Sequence, residues 1–212
     1  MMNRYVWALI IGGALLPAAG CAAPDAPGSP TTRPAAAAAD AARAELEVLR
    51  AKAYEGDPQA QFVLGTLHER GRLVEQGYPQ AFDWYLKSAR QGHAAAQFYL
   101  GAMYASGRGT AHDVDAAIMW YRKSADQGFR DALYPVAYAY EFGISVQKDY
   151  PAALWWYERS ARAGVWQAMS RLGKAYQDGE LGVAPDAEKA KTWFDLATTS
   201  GAQKTFTVPL QN

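Results

Sequence analysis

One phrase recurs four times in the chain. Residues 84–92 read WYLKSARQG, 120–128 WYRKSADQG, 156–164 WYERSARAG and 193–201 WFDLATTSG. Trp84, Trp120 and Trp156 stand 36 residues apart, and Trp193 follows after 37. A fixed period near 36 residues limits what such a chain can become. Each unit is too small to bury its own apolar face, so the units must stack into an array.

Other positions keep the same register. Ala60, Ala96, Ala132 and Ala168 share one phase, and Gly65, Gly101 and Gly173 share another, with Ala137 in the third unit. Tyr104, Tyr140 and Tyr176 align with His68 of the first unit. Gly71, Gly107, Gly143 and Gly179 close a first segment; Ala81, Ala117, Ala153 and Ala190 open a second; Gly92, Gly128, Gly164 and Gly201 end it. The apolar spacing within each segment is helical. Asp57 and Pro58 suit an N-cap and a first helical position, and Gly71 suits a left-handed C-terminal cap. Asp113, Asp149 and Asp186 suit the N-caps of second helices. Pro135 removes a helical hydrogen bond and predicts a kink or a late start there. The fold class expected is all-α: an α/α solenoid of four helix pairs at 56–92, 93–128, 129–164 and 165–201. A capping helix at 41–55 precedes them, and a tail at 202–212 follows. Trp84, Tyr85, Trp120, Tyr121, Trp156, Tyr157, Trp193 and Phe194 read as the repeated core block.

The pattern A-x-x-x-L-G-x-x-Y-x-x-G, a loop, then A-x-x-W-Y-x-x-[SA]-A-x-x-G resembles the Sel-1-like repeat family, relatives of tetratricopeptide repeats. The second unit, AQFYLGAMYASGRG…DAAIMWYRKSADQG, carries it most fully. The resemblance implies a right-handed superhelix that binds a protein or peptide partner without catalysis or cofactor. In tetratricopeptide relatives the first helices line the concave face. Their phase falls here on Phe62, Thr66, Glu69, Phe98, Ala102, Tyr134, Tyr138 and Lys174, with Glu141 and Phe142 in the same stripe. Phe62, Phe98 and Tyr134 are equivalent residues. They either grip a partner segment or pack adjacent first helices together.

The chain's start differs from the rest. Arg4, an apolar run over residues 5–16 and small residues after it have the form of a secretory signal over 1–20, too short for a stable span. Cys21 is the only cysteine, so it has no internal disulfide partner. The segment LLPAAGC resembles a bacterial lipobox, with Ala18 where leucine is usual. That resemblance makes Cys21 a lipidated first residue; the other readings are a plain signal cleaved near Ala23 and an uncleaved anchor. Each buried acyl methylene contributes about 0.8 kcal/mol to attachment. Residues 22–40, rich in Pro and Ala, read as a tether. In lipoproteins of this kind, alanine after the cysteine implies the outer membrane, facing the periplasm, where two membranes exist.

Several chemistries find little footing. Lys plus Arg and Asp plus Glu each number 21, which removes the general electrostatic case for nucleic acid. His68, His93 and His112 have no metal-ligand spacing, and no small-molecule substrate is expected. His68 reads as a packed histidine, whereas His93 and His112 read as solvated. The recurring KSAR and RSAR serines lie on core-facing second helices with no recurring base. A hydrolase acting on cell-wall or β-lactam substrates is the alternative reading. The family's members proposed for that activity resemble a cysteine-rich subgroup, and the cysteines of that subgroup are missing here.

Overall fold

A computed structural model describes the backbone of residues 32–205 and the side chains of residues 37–201. Every regular element in that span is a helix: α1 Thr32–Tyr54, α2 Pro58–Arg70, α3 Tyr78–Arg90, α4 Ala94–Ser106, α5 Val114–Asp126, α6 Arg130–Phe142, α7 Tyr150–Arg162, α8 Trp166–Asp178 and α9 Ala187–Thr205. None is long and apolar enough to cross a membrane. The chain divides into two units, Met1–Ala42 and Arg43–Asn212. Signal, lipobox and Cys21 lie outside the described residues.

In the second unit the helices pack chiefly on their neighbours in the chain: α2 on α3, α3 on α4, and so on to α8 on α9. This is the one-dimensional order that a repeat imposes. First helices end on glycine in the left-handed conformation at Gly71, Gly107, Gly143 and Gly179, with φ between 63° and 72°. Asp57, Asp113, Asp149 and Asp186 accept the expected capping bonds from Ala60, Ala116, Ala152 and Lys189.

The repeated spacing of glycine and aromatic has a steric cause. A Cβ on Gly65 would stand 2.6 Å from the Tyr85 ring, one on Gly101 2.9 Å from Tyr121, and one on Gly173 2.7 Å from Phe194. The first helix of each of these pairs is pressed onto the second ring of the W–Y or W–F phrase. Trp84, Trp120 and Trp156 are buried, and Lys87, Lys123 and Arg159 lie over them at 4.2, 4.3 and 5.2 Å. The core block is not uniform. Tyr85 and Tyr157 are buried, whereas Tyr121, Trp193 and Phe194 are half-buried. Trp193 and Phe194 belong to the last pair, after which no further first helix follows among the described residues.

Three expectations need correction. Helix α1 begins at Thr32 and takes in the last nine residues of the segment read as tether, because the alanines of residues 35–39 are strong helix formers. Helix α6 starts in the same phase as its siblings despite Pro135, so there is no late start. Gly201 lies inside α9 and does not end it.

Buried serines link successive first and second helices. Ser88 Oγ donates to the Pro58 carbonyl at 2.6 Å and Ser124 Oγ to the Ala94 carbonyl at 2.7 Å. Ser160, fully buried in the same place, has no partner for its hydroxyl, and the fourth unit carries Ala197 there. Removing a satisfied buried hydroxyl forfeits its hydrogen bond, a net loss of about 0.5–1.5 kcal/mol. Ser88→Ala and Ser124→Ala are therefore expected to lower stability by that much. Ser160→Ala is expected to be neutral or stabilising, as chemical denaturation will show.

Candidate functional site: the open face of the first helices

The stripe assigned to the first helices divides into two kinds of residue. Phe62, Phe98 and Tyr134 are half-buried and pack on other rings. Phe62 packs on Tyr85 at 5.8 Å, stacks on His93 at 4.9 Å and meets Tyr99 at 5.7 Å. Phe98 meets Tyr99, Tyr121 and Phe129 at 5.4–5.5 Å. Tyr134 lies edge-on to Tyr157 at 5.5 Å. Each ring joins its first helix to the second helix of the same unit, and Phe62 and Phe98 also reach the start of the next unit; each still shows part of its surface. Ser170 ends the row.

Thr66 does not belong to an open groove. It is buried; its hydroxyl donates to the Phe62 carbonyl and lies 3.3 Å from the Tyr85 hydroxyl oxygen. Glu69 is half-buried and accepts from the same tyrosine at 2.7 Å. Ala102 is half-buried. Tyr138 and Phe142 are open to solvent at 43% and 54%, and their rings touch each other at 4.4 Å between centroids. Lys174, one repeat on from Tyr138, is also exposed.

Beside this ring pair lies a cleft of about 610 Å³, walled by Glu141, Phe142, Tyr150, Arg171, Lys174 and the loop at residues 179–182. Its floor is an ion network. Arg171 forks onto Glu141 through Nε and Nη2 and reaches Glu180 through Nη1 at 2.7 Å. Glu141 also accepts from the Tyr157 hydroxyl at 2.7 Å. Glu141, expected to face a ligand, is buried and committed to this network. Burial, and then Glu141 beside it, raises the Tyr157 hydroxyl far above its ordinary range, so it stays protonated and donates. Burial pulls Arg171 down, but Glu141 and Glu180 outweigh it and the guanidinium is held above its usual value. Arg171 was legible only as a charge at the phase of Val63, Tyr99 and Pro135. The network binds repeat three to repeat four.

His93 and His68 also differ from expectation. His93 is half-buried: its Nδ1 accepts from the Ala96 N–H at 3.2 Å, capping α4, and its Nε2 faces Gln59 Oε1 at 2.8 Å. His68 is half-buried rather than fully packed, with Nδ1 3.3 Å from the Glu75 carbonyl of its loop. Among the described residues no group of His, Cys, Asp and Glu is arranged to hold a metal. A glutamine ladder also went unread in the sequence. Gln61 donates to the Ala53 carbonyl and accepts from Gln91, while Gln97 donates to the Ala89 carbonyl and accepts from Gln127. Leu133 replaces it in the third unit; the 36-residue spacing of Gln61 and Gln97 was the available signal.

The family described as Sel1 repeat matches residues 58–93, 94–129, 130–165 and 166–201. The chain belongs to the Sel1 repeat family. Two solved Sel1-type structures are similar to it. One is the Sel1 repeat protein from Oxalobacter formigenes, at 38% identity and a TM-score of 0.66, covering 69% of this chain and 58% of that one. The other is c5321, a protective antigen present in uropathogenic Escherichia coli strains displaying an SLR fold. It matches at 32% identity and a TM-score of 0.69, over 74% of this chain and 33% of its own. The present chain thus spans less than two thirds of either relative. No curated protein matches it. Sel1 repeats generally mediate protein–protein interactions, and the family is typically a non-catalytic scaffold.

Proposed function

We propose that this Sel1 repeat protein is an adaptor of the bacterial cell envelope that captures a segment of a protein partner on the open face of repeats three and four. The observation that carries the reading is the exposed Tyr138–Phe142 ring pair beside the cleft. Buried aromatics are accounted for by stacking, but two touching rings left in solvent on a first helix are not. Aromatic side chains of this kind supply much of the energy in protein recognition, because they bury large area at small entropic cost. Lys174 adds a cation at the cleft's edge. Peptides selected from a display library against the full chain are expected to lose at least about tenfold in affinity, roughly 1.4 kcal/mol, on the double change Tyr138→Ala, Phe142→Ala. The melting temperature should stay within a degree or two. Undiminished binding would remove the ring pair from the site.

The same reading places the chain on a membrane through lipidated Cys21, as an outer-membrane lipoprotein facing the periplasm. The lipobox-like sequence supports it. Cysteine-to-serine replacement at position 21 is expected to release the protein from the membrane fraction of cells that produce it. Retention of that variant in the membrane would favour an uncleaved anchor.

A further inference from the structure

We propose that His93 is a pH-operated latch at the junction of repeats one and two: neutral, it closes the N-terminus of α4, and protonated, it releases it. Both ring nitrogens are assigned by their partners. Nδ1 accepts from the Ala96 N–H and so must carry a lone pair; Nε2 then bears the hydrogen and donates to Gln59 Oε1. The ring is held in this orientation by its stack on Phe62, with 24° between the planes. A second proton would go onto Nδ1, opposite a backbone N–H, and cancel the cap. It would also place a cation at a helix N-terminus, where the helix dipole disfavours it.

The equivalent positions show that this is a particular solution. Asp57 caps α2 with a carboxylate, and Phe129 and Val165 supply no side-chain cap to α6 and α8. Only the second repeat closes its first helix with a group that titrates near neutrality. The charge reaching His93 from the elements around it is that of Asp57, at the start of α2. From α3 it meets the Ser88 carbonyl, which accepts its backbone N–H, and α4 carries no charged side chain. Burial lowers the ring's proton affinity; Asp57 opposes this without reversing it.

The sign follows directly. The unfolded chain takes a proton at the ordinary histidine value of about 6.5, whereas the folded chain resists until lower pH. The cap's contribution is therefore complete above that value and is lost as pH falls through the folded one. Loosening would begin at His93 and reach Phe62, whose ring rests on it.

The test is proton NMR of the full chain between pH 8 and 5. His93 is expected to titrate below the ordinary value. With the same midpoint, the exchange protection of the Ala96 amide should fall about tenfold, in keeping with the worth of a cap. His93→Asp, the solution used at Asp57, should keep that protection across the range; His93→Asn, which also retains an acceptor, serves should the aspartate fold poorly. An Ala96 amide indifferent to the His93 titration would overturn the proposal. So would protection that falls equally in the wild type and in a folded acceptor variant.

Discussion

Replacing Glu141 with alanine is expected to destabilise the folded unit by about 3–5 kcal/mol, the usual effect of removing one member of a buried ion pair. Glu141 is only 6% exposed and holds two partners at once, the Arg171 guanidinium and the Tyr157 hydroxyl. Its loss strands both, and Glu180, itself far more exposed, cannot replace it. For a domain of this size each kcal/mol lowers the melting temperature by about 2–4 °C, so a fall of more than 6 °C is expected. The double change Glu141→Leu, Arg171→Met should recover most of that loss, because apolar residues of similar volume often replace a buried pair without penalty. Thermal melts of the two variants side by side decide it. A Glu141→Ala protein as stable as wild type would show that the network is only a surface ornament.

Trp120→Ala is expected to be of similar size, about 3–5 kcal/mol, since a buried indole leaves a large cavity. Trp120 is buried in a core shared by repeats one and two, with Lys123 laid over its ring. Trp193 provides the internal comparison. It occupies the same place in the phrase but is half-buried, so Trp193→Ala should cost less than half as much. Denaturant unfolding of the two variants measures the difference. Equal losses would mean that depth of burial is not what makes the phrase matter.

Much of this was legible in the sequence because a repeat reports the same physical demand several times. Trp at 36-residue spacing, glycine at the ends of first helices and aspartate before second helices each recur, and each corresponds to a contact or a cap in the structure. What escaped was particular to one unit. Arg171 is a single charge in an apolar phase, and its partners Glu141 and Glu180 come from different elements. Thr66 has the phase of exposed Tyr138, yet it is drawn inward by the Tyr85 hydroxyl, a contact that depends on the neighbouring helix. His93 looked like a solvated residue before a helix because the sequence gives no sign that Gln59 and Phe62 fold over it. The start of α1 was missed for a compositional reason: prolines and alanines together suggested a tether, but the alanine run after Pro34 favours helix.

The central claim is that partners meet this protein on the first helices of repeats three and four. Amide hydrogen exchange of the full chain, with and without a selected peptide, addresses it most directly. The account predicts added protection in α6 and α8, around residues 138–142 and 174, with α7 and α9, the second helices of those repeats, unchanged. Protection confined to α7 and α9 would contradict it.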